Sequence, residues 1–310
     1  MRSAPLPVTL ALMTPLLLGD EDVRARLDPA TAVRAVRDAL LAHHAGDLDA
    51  PPRARAPLGE SDLVFTAGRL RGRPGLHGFR AYDAAGAAEQ LVAVWDSATG
   101  ALRAVVHGQE LGVRRTGAIG AVAVDACARP GPVRVGLIGA GAQAWAQLWA
   151  LRAVRPVAEV VVATRRPAAA RDFARRAERA WGLPVRAVDG AETAVRGRDV
   201  VLVATSSPVP VLRAEWLEPG THLTTLGPKT TARHEVPVEL ADRAAVTVTD
   251  SPAQLGAYPE PHVFHGRPIA SLGAVLAGEE RVRQRAEDVT VFCSVGLAGT
   301  EVAVAGTLSG

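Results

Sequence analysis

Residues 133–144 read V-R-V-G-L-I-G-A-G-A-Q-A, an apolar run that ends in Gly139, Gly141 and Ala144. That spacing is G-x-G-x-x-A. The first glycine allows a tight strand-to-helix turn, the second lets a pyrophosphate approach the backbone, and a small third residue lets the helix pack on its strand. Gly139-Ala140-Gly141-Ala142-Gln143 would then offer backbone N–H groups at a helix N-terminus, where the dipole favours an anion. The implied chemistry is dinucleotide binding. At the end of the next strand, where a carboxylate would hold the ribose 2′-OH of NAD, stands Thr164-Arg165-Arg166. A guanidinium there suits a 2′-phosphate and can stack on adenine. The expectation is NADP(H), with NAD(H) as the alternative. Thr205 and Ser206 close a later apolar run, where small polar residues line a cofactor crevice.

Such a crevice needs a parallel sheet behind it. VRVGLIG, AEVVVAT, RDVVLVAT, GTHLTTLG and AAVTVTD are short β-rich runs, and helical stretches such as RPAAARDFARRAERA separate the first of them. Strands alternating with helices argue an α/β fold with a Rossmann-type, doubly wound parallel sheet. Upstream, Val33, Val36, Leu40 and Leu41 share one face of a helix that Asp28 can cap, with Pro29 in its first turn and Gly46 ending it. PPRARAP reads as a breaker after that helix. Residues 63–106 read as short strands, with LVAVWD-SATG-ALRAVV as a hairpin, and residues 111–128 read as a helix. The tail from Asp288 is a strand followed by a helix. The expected organisation is a mixed α+β substrate and dimerisation domain over 1–115, rejoined by 297–310, and a dinucleotide-binding domain over 116–296.

The chain has 310 residues, 48% of them hydrophobic and 22% charged, which favours large cores over disorder. Its net charge is +3, and its arginines are spread rather than clustered, so no nucleic-acid partner is expected. Cys127 and Cys293 make neither a disulfide framework nor a metal-ligand spacing, and Pro259 and Pro261 interrupt Glu260, His262 and His265; no metal is expected. The apolar start runs into Asp20, Glu21 and Asp22 and reads as a strand region, not an export signal. No run approaches a membrane span, and a reducing cytoplasm is the expected location. Of 35 lysines and arginines, only Lys229 is lysine. Such arginine usage reads as GC-rich coding, which singles out the exception.

Several longer segments belong together: DPATAVRAVRDALLAHHAGDLDAPPR, LGVRRTGAIGAVAV, GLIGAGAQA with its Gln143, ATSSPVPVLRAEWLEPGTHLTTLG and DVTVFCSVGLAGTE. Jointly, and across nearly the whole chain, they resemble the ornithine cyclodeaminase / mu-crystallin family. The resemblance implies a homodimer of two-domain subunits that uses a nicotinamide cofactor on small amino or imino acids. It implies that Arg53 and Arg115 hold the substrate carboxylate, for which bidentate guanidinium groups are suited, and that Thr116 touches the nicotinamide side. Arg80, in Gly78-Phe79-Arg80, stands in place of the family's G-x-K lysine and would join the clamp, with His77 nearby as a proton donor. Leu226 and Gly227 would border the cofactor, and the segment 255–267 would rim the pocket.

One position departs more sharply. Where cyclodeaminases carry an acidic base after the fifth strand, this chain has Gly227-Pro228-Lys229, with Glu235 in register with a family glutamate. An ammonium there inverts the local charge and removes a general base. The expectation is therefore an oxidoreductase that moves hydride between nicotinamide and the α-carbon of an amino or imino acid. Arg53, Arg80 and Arg115 would hold the carboxylate, and Lys229 and Arg80 would serve the reacting centre. Two other readings stay open. One is a cyclodeaminase, an ammonia lyase whose cofactor returns its hydride before release. The other is a non-catalytic protein that binds a small ligand with NADPH.

Overall fold

The computed structural model describes residues 14–72, 75–84 and 89–309. Most of the apolar start, residues 1–13, lies outside the described residues, and its end forms β1 (Leu16–Leu18). After α1 (Asp20–Arg26) comes α2 (Pro29–His44), whose start follows its sequence: Asp28 Oδ1 accepts the Thr31 N–H at 2.9 Å and Pro29 opens the first turn. Next come β2 (Leu48–Asp49), β3 (Ala54–Leu58), β4 (Ser61–Leu70), β5 (Leu76–Asp83), β6 (Gln90–Asp96) and β7 (Leu102–Gly108). They build a sheet ordered β1-β7-β6-β5-β4-β2, with β3 also on β4. All its pairs are antiparallel except β1 with β7.

The expected breaker PPRARAP is thus partly a strand. Pro57 pairs with Asp62 on β3, which bonds only to β4, and an edge strand is where a missing N–H is tolerated. Alternation sends Val64, Val92, Val94, Ala104 and Val106 to one buried face. Phe65, His77, Phe79, Leu91 and Trp95 occupy the alternate positions, on the opposite face.

Helix α3 (Glu110–Cys127) leads to the second sheet through β8 (Val133–Ile138), α4 (Ala142–Leu151), β9 (Val157–Ala163), α5 (Pro167–Trp181), β10 (Val185–Ala187), α6 (Ala191–Val195) and β11 (Val200–Val203). There follow β12 (His222–Thr225), the small pair β13 (Lys229–Thr230) and β14 (Arg233–His234), α7 (Leu240–Arg243), β15 (Val246–Thr249), α8 (Pro252–Gly256), β16 (Ile269–Ser271), α9 (Leu272–Leu276), β17 (Thr290–Cys293) and α10 (Thr300–Gly306). The strand order is β10-β9-β8-β11-β12-β17-β15-β16, parallel throughout. This is an α/β fold with a doubly wound sheet. Strand β11 is apolar along its whole length, and both it and β17 are buried on both faces, as a sheet covered by helices requires.

Two of the contacts that join the halves bear on the site. Helix α3 lies flush on α4, because a side chain on Gly117 would collide with the Ala146 carbonyl. Helix α10 leaves the second sheet and packs on β5, β6 and β4 of the first, where Val302 and Ala305 enter the same core as Val92 and Val94.

Candidate active site

In an open parallel sheet, the crevice beyond the carboxyl ends of the strands is where ligands bind. Here Gly139 follows β8, Thr164 follows β9, Thr205 follows β11, Lys229 follows β12, Asp250 follows β15 and Gly296 follows β17. All six strand ends therefore deliver residues to one edge.

The turn after β8 fits a dinucleotide. Gly139 has φ +112°, and a Cβ on it would collide with the Ala204 carbonyl, so the chain can reverse there only as glycine. Gly141 caps α4 and meets nothing within 4 Å of its Cβ direction, which leaves room for a phosphate to reach the backbone. Ala144 is fully buried against the sheet. Gln143 Oε1 is buried with no hydrogen-bond partner among the described residues, an acceptor that a ligand at this turn would satisfy. A cleft of about 740 Å³ opens beside this turn, lined by Gly139, Gly141, Thr164, Arg165, Arg166, Thr205 and Ser206 among others. Asp189, after β10, lies on the same wall and carried no sequence signal of its own. Ala140, Ala142 and Gln143 lie at the turn but do not line the cleft. Leu226 and Gly227 do not line it either, and Thr116 uses its hydroxyl on the Gly112 carbonyl of its own helix at 2.9 Å.

The second cluster is built of guanidinium groups. A Cβ on Gly296 would lie 2.9 Å from Arg115 Nη1 and 3.3 Å from Arg53 Nη2, so two arginines from distant segments converge there. Arg115 comes from α3. Arg53 is held by its backbone, whose N–H donates to Gln254 Oε1 at 2.9 Å. Behind them, Glu301 Oε1 accepts from Arg115 Nη2 at 2.7 Å, Arg80 Nη1 at 3.2 Å and Thr66 Oγ1 at 3.3 Å. Burial raises the Glu301 pKa, but Arg115 and Arg80 outweigh it and hold the carboxyl below its usual range. Burial, with repulsion from Arg80 and Arg53, lowers that of Arg115, against the pull of Glu301. Arg80 also lies over the Tyr82 ring at 4.3 Å. The Nε atoms of Arg80 and Arg115 have no hydrogen-bond partner among the described residues.

Asp250 sets the loop on which the arginines close. Its carboxylate accepts the N–H groups of Val295, Gly296 and Leu297 at 2.8, 2.7 and 3.0 Å. Neither Asp250 nor Glu301 carries a sequence signal, beyond a carboxylate ending an apolar run in VTVTD and another closing the tail segment LAGTE.

His77 is not in this cluster. It lies on β5 three residues before Arg80, so the two side chains leave opposite faces of the sheet. Its ring stacks on Trp95 at 5.8 Å and its Nδ1 lies 3.1 Å from Ser97 Oγ.

Lys229 is buried, and its ammonium donates to the carbonyls of Gly227 at 2.7 Å and Leu226 at 3.3 Å. Among the described residues it forms no ion pair. The segment expected to rim the pocket packs over its backbone, where Val263 N–H donates to the Lys229 carbonyl at 2.9 Å. Burial lowers the His262 pKa, with help from His265 and Lys229. Burial pushes the neighbouring Cys293 thiol up to about 12, so it is a packed apolar group rather than a nucleophile.

A parallel sheet with a glycine turn at one edge is the architecture of a dinucleotide-binding α/β protein, here with a converging pair of arginines at the same edge. Residues 16–308 match the model of the ornithine cyclodeaminase/mu-crystallin family, and the chain belongs to that family. It is 32% identical over 306 residues to the alanine dehydrogenase of Archaeoglobus fulgidus, covering 94% of each chain. Its fold superposes on a probable ornithine cyclodeaminase from Bordetella pertussis with a TM-score of 0.86 at 25% identity, covering 95% of this chain and 96% of that one. An archaeal alanine dehydrogenase dimer with bound NAD gives 0.82 at 29% identity, covering 95% of each chain.

Proposed function

We propose that the chain is a nicotinamide-dinucleotide-dependent oxidoreductase acting at the α-carbon of a small amino or imino acid, as an imine reductase or amino acid dehydrogenase. The observation that carries this reading is the convergence of Arg53 and Arg115 on Gly296, at the same sheet edge as the Gly139–Gly141 cleft. Two guanidinium groups with donors left over after Glu301 suit one carboxylate. The dinucleotide, when bound, supplies or accepts hydride at its nicotinamide ring. The chain's own residues do the rest. Arg53 and Arg115 fix the carboxylate, and Arg80 keeps Glu301 and Arg115 in register. Thr116, Leu226 and Gly227 would border the nicotinamide, and the Lys229 ammonium would offer a proton to the substrate nitrogen. An ammonium cannot take up the proton that a cyclodeaminase base removes, which favours the redox reading over the lyase.

Arg165 and Arg166 on the cleft wall, with Thr164 rather than a carboxylate ending β9, support NADP(H) over NAD(H). Asp189 on the same wall weighs the other way, as does the NAD bound to the archaeal neighbour. We further propose a substrate domain of residues 1–115 with 297–310 and a nucleotide domain of 116–296, with α3 crossing the join. The uncovered face of the first sheet would pair with a second copy. Two free, buried cysteines accord with a reducing cytoplasm. The test is cofactor oxidation with cyclic imines and with mixtures of 2-oxo acid and amine, using NADPH and NADH in parallel. Stoichiometric oxidation, faster with NADPH, is expected. Ammonia release from a diamino acid with only catalytic cofactor would instead make the protein a lyase.

A further inference from the structure

Glu235 is fully buried, yet it has no arginine, lysine or histidine nitrogen in ion-pair contact among the described residues. Its partners are all uncharged donors. Oε2 accepts the Thr205 N–H at 2.9 Å and the Thr205 hydroxyl at 2.8 Å. Oε1 accepts the Thr225 hydroxyl at 2.7 Å, the Leu226 N–H at 2.9 Å and the Gly227 N–H at 2.5 Å. One carboxylate therefore ties the ends of β11 and β12 together, with Thr205 on the cleft wall.

One of the peptide groups it holds has a second partner. Leu226 and Gly227 give their N–H groups to Glu235 and their carbonyls to the Lys229 ammonium. The anion and the cation thus face each other through the 226–227 peptide instead of touching. Its Gly227 N–H points at the carboxylate and its Leu226 carbonyl at the ammonium, so the peptide dipole stabilises both buried charges, and the next carbonyl, of Gly227, completes the hold on the ammonium. The same arrangement fixes where the ammonium sits.

We propose that Glu235 is a positioning residue shared by the two halves of the site: it sets the cofactor wall through Thr205 and the Lys229 ammonium through the 226–227 peptide. The function of Lys229 rests on the reading above; the coupling itself does not need turnover to be measured. Glutamine at this position cannot reproduce the arrangement. Its amide places two N–H groups against donors at one of the two oxygen positions, leaving them unsatisfied. Aspartate keeps the charge and both acceptors on a shorter arm.

The chain's lysine content makes the test direct, because an amine-directed label read at residue 229 by mass spectrometry reports on one side chain. The full-length protein, Glu235→Gln, Glu235→Asp and Thr225→Val are compared by that labelling rate and by equilibrium binding of NADPH and NADH, followed by fluorescence. Glu235→Gln is expected to weaken the tighter nucleotide by about tenfold, the order of one lost charge-assisted hydrogen bond, and to raise Lys229 labelling by a similar factor. Glu235→Asp is expected to recover part of both, and Thr225→Val, which deletes one donor, to move both by smaller amounts in the same direction. A Glu235→Gln protein that keeps either quantity within twofold of wild type overturns the proposal. Should that variant not fold, a Thr225→Val protein that moves only one of the two does so. Wild type that binds neither nucleotide refutes the proposed function instead, while the labelling arm still decides whether Glu235 holds Lys229.

Discussion

At the residue scale, the arginine cluster has a division of labour set by Glu301. Its carboxylate takes one edge of Arg115 and the tip of Arg80, leaving Arg115 Nη1 and Arg53 Nη2 over Gly296. Lysine at 115 would keep the charge but lose the planar fork that serves Glu301 and a ligand at once. Arg115→Lys should raise KM for the carboxylate substrate by about tenfold or more with a smaller fall in kcat; unchanged KM would remove Arg115 from the clamp. Lys229→Ala should depress kcat with whatever substrate the screen identifies, and unchanged turnover would remove Lys229 from proton transfer. His222 gives a stability prediction. It is wholly buried between the Thr290 and Thr224 hydroxyls, and burial, with Arg283 nearby, lowers its pKa from 6.5 to about 3. Between those values the unfolded chain binds a proton that the folded one refuses, so stability present at neutral pH is lost on acidification. The loss from this group is at most about 1.4 kcal/mol per pH unit below pH 6.5. Urea midpoints from pH 7 to pH 4 should fall less steeply for His222→Asn than for wild type.

At the scale of elements, the helix pair α3–α4 decides whether the two clusters share one edge. Gly117→Ala should raise the helix propensity of α3 by about 1 kcal/mol, yet the added methyl meets the Ala146 carbonyl. Overpacking against backbone costs about 1–3 kcal/mol, so the variant should unfold at lower denaturant than wild type. A higher midpoint would show that α3 can move off α4. The elements also explain what could be read in advance. The nucleotide turn was legible because its glycines lie within a few residues of one another, and the alternation of strands and helices is likewise local. The substrate side was not. Arg53, Arg80, Arg115, Asp250 and Glu301 come from five separate segments, so no spacing joins them; only family resemblance brought forward the three arginines, and nothing brought forward the two acids. His77 was misplaced for a simpler reason: a strand's period of two sends residues three apart to opposite faces.

At the scale of the whole molecule, the first sheet has one face covered by α10 and the other uncovered among the described residues, with Leu58, Phe65 and Leu91 exposed and a hollow of about 600 Å³ lined by His77, Phe79 and Trp95. Apolar surface of that kind on a sheet is ordinarily buried against a partner. Sedimentation should give a dimer for wild type and a monomer for Phe65→Asp/Leu91→Asp; a dimer in both would place the interface elsewhere. The position of α10 has a further consequence, in time rather than space. Val302 and Ala305 complete a core begun by Val33 and Val36 near the other end of the chain. During synthesis the early strands must therefore wait, with that face open, until α10 leaves the ribosome. The strands β10-β9-β8-β11-β12 of the parallel sheet can assemble first, with β17 joining them only just before α10. Ribosome-bound chains stopped before residue 300 should accordingly be protease-sensitive in the first sheet and protected across β8 to β12.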